Sequence, residues 1–436
     1  MLRDQLEGGT KVPAEHPEQS HYIDRHDAGL QLQTTIQEIR EIPRFGKFLL
    51  PPSEEDMKSA AAYGPIVVIN VSDYRRDALI IEKDKLHSII LPHLERQHLE
   101  HLGKITKYEA EMLEWLWEAI AEPVLGVLGF DKPPMDGQRP HIRWIPTGAL
   151  CRIPIHAAGF HCDGSKNTVM DRVISSYSPS VKALIDGLER HNRTYQGHSR
   201  YKAVLFGSNQ LRYAPKEIDE VEKICRAMTL EVARPQARQE EILSALDNCA
   251  VFHFAGHGLS DGSDPSKSSL ILRDNEMLTV ASLLKSNLRH QAPFLAYLSA
   301  CGTGQTKQYR LFDEGIHLIG AYQISGFQNV VGTLWEVEDR SCVEVATRTY
   351  EWIKNRGMSR RSVAEGLHHA ARKLRGDWIE EISQLRTLNE IDSIIRHDHD
   401  IEGAADGMRN RGAAASRDME PLDNPVLNWI PYVHYC

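Results

Sequence analysis

The sequence predicts an α/β protein: an open, mostly parallel β-sheet flanked by helices. Three observations predict it. Continuous apolar runs of strand length recur, such as Ile66-Val67-Val68-Ile69 and Phe294–Leu298, the pattern of strands buried on both faces. Amphipathic segments of helix length alternate with them, which is the order of a parallel sheet with crossover helices. The 436 residues are 41% hydrophobic and 25% charged, an ordinary globular balance long enough for two or three domains.

Residues 1–25 are polar and read as a flexible tail. A helix is expected over about Gly29–Glu41, stopped by Pro43. Gly64-Pro65 introduces the first strand, and Ala78–Ile81 and Ile142–Ile145 read likewise. Between them, Met112, Leu113, Leu116 and Ile120 mark a helix over Tyr108–Ala121 that should end near Pro123. Val173–Tyr177 is a strand, followed by a Ser178-Pro179-Ser180 turn and a helix start. Residues 190–200 are the best linker within the folded region. Beyond them, strands at Ala203–Phe206, Val251–Phe254, Phe294–Leu298 and Asn329–Leu334 alternate with helices at Pro215–Met228, Asp313–Ser325 and Ser341–Asn355. A last helix spans Ser359–Arg375, and residues 398–420, poor in large apolar groups, read as a mobile insertion.

Composition excludes several classes. The net charge of −9 argues against a broad grip on nucleic acid. Seven scattered cysteines with no CxxC pair suggest neither a zinc knuckle nor a disulfide framework, and Cys225 belongs to a helix core. No secretory h-region and no membrane-length apolar run occurs, so the expected location is the cytoplasm, with the nucleus left open. No repeat of 20–50 residues is visible. Without a Walker A or complete GxGxxG, no nucleotide cofactor is expected.

In parallel α/β sheets, reactive groups gather beyond the carboxyl ends of strands. Val251–Phe254 runs into Ala255-Gly256-His257-Gly258, and Phe294–Leu298 runs into Ser299-Ala300-Cys301-Gly302. Flanking glycines let a substrate backbone approach and leave peptide N–H groups free. A thiol needs a base or cation nearby to act as nucleophile at neutral pH. The 44 residues between His257 and Cys301 allow one crossover, close to the spacing of the caspase pattern. Singly, each residue reads as an ordinary core or turn group. Jointly, they read as a catalytic pair. Gly258-Leu259-Ser260-Asp261-Gly262 matches the GxSxG string, but a nucleophile elbow needs a strand directly before the serine and a helix directly after. His253, His257 and Cys301 lack a fourth ligand, so no metal is expected, and His253 reads as a hydrogen-bonded strand residue.

The segments HFAGHG (253–258), SACGTG (299–304), Asp313-Glu314-Gly315-Ile316 and Asn329–Asp339 resemble the CHAT domain, a family of caspase-like and separase-like cysteine peptidases often fused to tetratricopeptide repeats. GPIVVIN (64–70), RWIPTGALCRIPIHAAG (143–159), Tyr177–Ser180 and the closing Asn424-Pro425…Trp429…Tyr432 carry the resemblance over about residues 30–436, with a flavour of fungal members. It implies a caspase-like sheet with a degenerate N-terminal half (within 26–190) buttressing an active half (200–436). It implies a Cys/His dyad of Cys301 and His257, with backbone N–H groups of Gly258 and Cys301 as oxyanion donors. Ser299 would line the first specificity pocket without selecting charge. Glu336 and Asp339, in a stretch similar to the LWDVTD of separases, would favour cleavage after Arg or Lys; against this, Asp339 is also suited to capping the following helix at Ser341. The expectation is a protein substrate and no cofactor; with none of the family's repeats visible in this sequence, gating is expected from a regulatory or sensor protein, for example one containing repeats, with Gln305–Phe312 as the gate. The alternative is a catalytically silent CHAT adaptor in protein–protein signalling.

Overall fold

The computed structural model describes residues 17–43, 45–95, 98–99, 110–135, 138–161, 164–194, 202–261, 264–273, 276–286, 288–300, 318–405 and 427–436. The chain divides into two compact units, Met1–Glu54 and Glu55–Cys436. In the first, helix α1 (Pro17–Glu41) starts well before the expected Gly29, so residues 17–25 are helical rather than a loose tail. Pro17 suits a first helical position because its fixed φ matches the helix and its missing N–H is not needed there. Arg40 Nε donates to the Phe48 carbonyl at 2.8 Å and closes the turn that follows.

The second unit is one mixed sheet with helices on both faces. Its first strands are β1 (Ile66–Val71), β2 (Arg76–Ile81), β3 (Leu86–Ile90), β4 (His141–Pro146) and β5 (Ile174–Tyr177). β1, β4 and β5 are parallel neighbours. β2 and β3 add an antiparallel meander at one edge, so Leu79 faces solvent and β2 is not buried on both faces. Gly64 opens β1 with φ of +129°, and a Cβ there would lie 2.0 Å from the His141 carbonyl oxygen, so only glycine fits. The later strands are β6 (Lys202–Gly207), β7 (Glu231–Ala233), β8 (Val251–Leu259), β9 (Ser269–Arg273), β10 (Glu276–Thr279), β11 (Leu295–Ala300), β12 (Asn329–Thr333) and β13 (Tyr432–Tyr435). The order β7-β6-β8-β11-β12 is parallel throughout. β13 joins the two runs: it is antiparallel to β12 and parallel to β5. The runs therefore point in opposite directions, and their carboxyl ends lie on opposite edges of one sheet.

Helix α2 (Ala110–Leu116) does not stop near Pro123. It passes through a π-helical turn, Trp117–Ala121, into α3 (Glu122–Val127), which carries Pro123 at its start. The widened turn, in which the Glu122 N–H reaches back to the Trp117 carbonyl, precedes Pro123, which has no N–H to continue the ladder. Helix α4 (Val169–Arg172) precedes β5, α5 (Val181–Thr194) follows it into the expected linker, and α6 (Ala214–Ala227) follows β6. After α7 (Leu318–Ser325), α8 (Asp339–Arg356) packs against α9 (Ser362–Ala405). α9 runs far beyond the expected Arg375, and residues 398–405 of the expected mobile insertion are helical. Positions 406–420 of that insertion lie outside the described residues, as do 195–200 of the linker and Asp313–His317 of the expected helix.

One core cluster spans both strand runs on one face of the sheet, with Val67, Trp144, Phe252, Leu298 and Trp429 among its members. On the other face, α6, α8 and α9 cover β6, β8 and β11 through Ile218, Val221, Tyr350 and Leu367. Asp171 of α4 ties the N-terminal strands to α9: its carboxylate meets Arg375 at 2.9 Å and Arg372 at 3.0 Å. Burial alone would raise this carboxyl, but hydrogen bonds and charge from Arg375, with Thr168 and Arg372, hold it at about 2. Cys225 sits inside α6, where burial and then Glu222 push its thiol up to about 12. The described cysteines form no disulfide.

Four histidines are held as neutral bases, His141, His156 and His434 buried and His368 half-buried. Burial pushes His156 down to about 4 and His434 to about 3, and holds His141 and His368 well below the usual range. Unfolding lets each bind a proton near pH 6.5, which the folded state refuses, so stability falls as pH drops below 6.5. Each contributes up to about 1.4 kcal/mol per pH unit in that window. The Asp171 contribution is intact above 3.8 and declines only as pH falls toward about 2, so it plays no part there. Thermal melts should therefore drop by at least several degrees between pH 7 and pH 5; a flat profile would contradict neutral burial of these rings.

Candidate active site

The carboxyl edge of the β7-β6-β8-β11-β12 run carries His257, Gly258 and Ser299 of the residues singled out by sequence. β8 does not end at Phe254 but continues to Leu259, because it changes partners midway. Its first part pairs in parallel with β6 and β11, while His257, Gly258 and Leu259 pair with Ile271, Leu270 and Ser269 of β9 in antiparallel fashion. His257 and Gly258 are thus held in an extension of the strand, both half-buried. Gly256 sits where the two pairings meet. A Cβ there would lie 2.7 Å from the Phe254 ring, which itself stacks on Phe206 at 5.4 Å.

Ser299 lies near the end of β11, buried and opposite Ala255. By strand alternation it shares a face with Tyr297, and His257 shares that face with His253. Cys301 lies outside the described residues, as do Gln305–Phe312. What holds its approach is visible: Thr333 Oγ1 of β12 donates to the Ala300 carbonyl at 2.9 Å, fixing the end of β11.

Under this edge lies a polar group that sequence reading did not single out. Glu217 of α6 is 1% exposed and accepts a hydrogen bond from His253 Nε2 at 3.1 Å. His253 Nδ1 meets the Tyr350 hydroxyl at 3.2 Å, and Tyr297 stacks on the same ring at 4.9 Å. His253 is therefore a hydrogen-bonded strand residue, as expected. The signal for Glu217 was present: it shares the helix stripe with Ala214, Ile218, Val221 and Cys225, where a carboxylate must have a partner.

Beyond β12, Glu336 is exposed. Asp339 is half-buried and starts α8, but its Oδ2 accepts from the Tyr213 N–H at 2.7 Å rather than from Ser341. It thereby clamps the segment between β6 and α6 to the segment after β12. Glu338 is exposed and accepts from Asn428 Nδ2 at 3.0 Å.

The serine elbow fails in an unexpected way. Its strand does reach Leu259, directly before Ser260, but no α-helix follows. The described residues after it form a short 3-10 turn, Pro265–Lys267, where Asp264 accepts from the Ser266 N–H at 3.1 Å and its hydroxyl at 2.6 Å. Among the described residues no cluster of three metal-ligating side chains occurs, and no helix is long and apolar enough to cross a membrane.

A comparison with curated proteins finds no match. Among solved structures, the chain is similar to the complex of the pro- and mature domains of RgpB from Porphyromonas gingivalis, at 10% identity and TM-score 0.43, over 62% of this chain and 68% of that one. It is similar to the Arg-specific cysteine proteinase gingipain R, at 10% identity and TM-score 0.41, over 63% and 71%. The separase of a Saccharomyces cerevisiae separase–securin complex matches at 13% identity and TM-score 0.35, over 85% of this chain but only 26% of that one. The CHAT domain family model matches residues 110–409, well over half of the sequence and including both strand ends described above. The chain belongs to the CHAT domain family.

Proposed function

We propose that the protein is a cysteine endopeptidase that hydrolyses protein substrates in the cytoplasm through Cys301 and His257. The observation that carries this reading is the β8–β11 ladder. Leu295 faces Val251 and Ala300 faces Gly256, a constant offset of 44 residues. His257 and Cys301 share that offset, and adjacent strands run about 4.8 Å apart. One further step of the ladder would bring thiol and imidazole to the same substrate carbonyl.

In this reading the Cys301 thiolate attacks the carbonyl carbon, and the backbone N–H groups of Gly258 and Cys301 receive the oxyanion. The C–N bond breaks as His257 protonates the departing amine, leaving a thioester. Water activated by His257 then releases the acid and restores the thiol. Ser299 lines the first pocket without selecting charge. Glu336, exposed past β12, and the oxygen of Asp339 not engaged by Tyr213 favour cleavage after Arg or Lys. The N-terminal strands act as a buttress, and a regulatory protein partner controls access.

Mapping a thiol-directed electrophile by mass spectrometry tests the dyad. Cys301 should label fastest, far ahead of the deeply held Cys225; His257→Ala should slow it at least tenfold, and Cys301→Ala should abolish it at that position. Equal labelling of Cys301 with and without His257 would leave the silent adaptor as the better reading. Specificity is tested with a peptide library. Cleavage should fall mainly after Arg or Lys, and Glu336→Gln should lower kcat/KM for those peptides about tenfold, equivalent to about 1.4 kcal/mol. Asp339→Asn keeps an acceptor for the Tyr213 N–H, so a loss of basic preference without a drop in Tm would assign Asp339 to the substrate. Cutting chiefly after acidic or large apolar residues would defeat the preference. Control is tested with dilute monomer, which should turn over slowly until a partner from the cell is added; full activity alone would contradict gating.

A further inference from the structure

Four large apolar side chains left in solvent fall within nine consecutive residues: Ile42, Phe45, Leu49 and Leu50, each between 43% and 67% exposed. Single exposed apolar residues are ordinary on a protein surface, but a cluster of them marks a contact. Leu49 adds strain to exposure. Its φ is +55°, a left-handed backbone that a bulky side chain rarely adopts, and it is the most exposed of the four. The strained backbone presents the side chain to solvent instead of packing it. The loop is also closed on itself. The Ile42 N–H donates to the Ile39 carbonyl at 3.1 Å, Phe45 to Ile42 at 3.0 Å, Phe48 to Phe45 at 2.8 Å and Leu50 to Lys47 at 3.1 Å. Arg40 Nε, at the end of α1, takes up the Phe48 carbonyl.

Backbone pairing and charge together indicate what covers these side chains. A loop that docks in a protein groove can leave N–H and C=O groups for its partner to pair, whereas hydrocarbon offers no such partner. Here successive turns pair backbone groups within the loop itself, which suits entry into lipid. From Ile42 to Ser53 the sequence contains basic residues and no Asp or Glu, in a chain of net charge −9. Exposed Lys47 stands between Phe45 and Phe48. Apolar tips interleaved with cations match a bilayer interface with negative headgroups, as on the cytoplasmic face of cell membranes. We infer that Ile42, Phe45, Leu49 and Leu50 form a membrane-contact patch that dips into the interface of a bilayer carrying anionic lipid. A few residues folded in turns are too short to span hydrocarbon, so the attachment is peripheral. The patch contains none of the residues proposed for peptide hydrolysis, and binding to lipid is independent of that activity.

The test is cosedimentation of the full chain with vesicles of phosphatidylcholine alone or of equal parts phosphatidylcholine and phosphatidylserine. Binding to the mixed vesicles should be about tenfold tighter and should weaken as salt is raised. Phe45→Ser combined with Leu49→Asn should lower binding to the mixed vesicles at least about tenfold. Both side chains are exposed and asparagine tolerates a left-handed backbone, so the melting curve of this double variant should match the wild type. Lys47→Glu keeps the apolar side chains and should cut the advantage of phosphatidylserine about fivefold. Phe45→Trp reads depth: brominated lipid should quench its emission beyond the quenching seen in the wild type. Absence of binding to either vesicle, or binding that survives the double substitution, overturns the membrane assignment. A dimer seen by sedimentation velocity and lost in the double variant, without lipid binding, would give the patch to a second copy of the chain. Capture of a cell protein lost in the same variant, again without lipid binding, would give it to a protein groove.

Discussion

The structure depends on a seam. Two runs of parallel strands point in opposite directions, and β13 has to satisfy both, parallel on one side and antiparallel on the other. The ladder to β5 is short, resting on Tyr435 opposite Tyr177, so backbone pairing alone holds it weakly. Side chains supply the remainder. Asn329 Nδ2 donates to the Phe294 carbonyl, which turns its Oδ1 toward His434, so His434 Nε2 carries the proton. His434 Nδ1 then accepts from the Ser176 hydroxyl at 2.6 Å, and Ser176 in turn accepts from His141 Nε2 at 2.6 Å. Each proton position forces the next. The chain crosses β4, β5, β13 and β12 with every member buried, and such a network strengthens only when all its members are paired.

The same logic recurs beside the seam. His156 donates through Nε2 to the Ile430 carbonyl and accepts from the Tyr177 hydroxyl at 2.8 Å, so the approach to β13 is pinned to β5 before the strand begins. Asp171, Arg372 and Arg375 close the outer side. Both devices keep the N-terminal strands in register with β12, and Thr333 at the end of β12 in turn holds Ala300. A displacement at the seam therefore reaches the end of β11 through one strand and one hydrogen bond. The carboxyl ends of the N-terminal run lie on the edge opposite His257, and β13 is the strand that links the two runs.

Much of this was legible in the residues. Apolar runs located β1, β4, β6, β11 and β12, because strands buried on both faces leave a continuous signal. That β8 and β11 are neighbouring strands, with Ala300 opposite Gly256, agrees with a spacing that allows one crossover between their ends. What escaped has physical causes. β3, β7, β9 and β10 are only three to five residues long, and β3, β7 and β10 lie at sheet edges, so each leaves too short a pattern to stand out from loop. The length of β8 was missed because its second half pairs with β9, whose partner choice depends on contacts far away in sequence. α9 outran its expected end since no glycine or proline interrupts Lys373–Glu390 strongly enough to stop it. The π-turn before Pro123 is invisible to a rule that treats proline as a terminator.

Asp339 has a structural bond beside the role that its sequence context implies. Sequence resemblance assigns it to substrate charge; geometry gives one of its oxygens to the Tyr213 N–H. These roles are compatible because a carboxylate has two oxygens. Tyr213 ends the segment that begins at Ser208, whose N–H donates to the Ala255 carbonyl at 2.8 Å and whose hydroxyl accepts from the Gln210 N–H at 3.2 Å. The segment between β6 and α6 is thus anchored to β8 at one end and to the start of α8 at the other. Between these anchors lie β8 and β11, so the bond from the Tyr213 N–H to Asp339 ties the segment after β6 to the segment after β12 across the width of the parallel run. A clamp that spans two intervening strands limits how far the outer strands can splay at their carboxyl ends, which is where His257 is held.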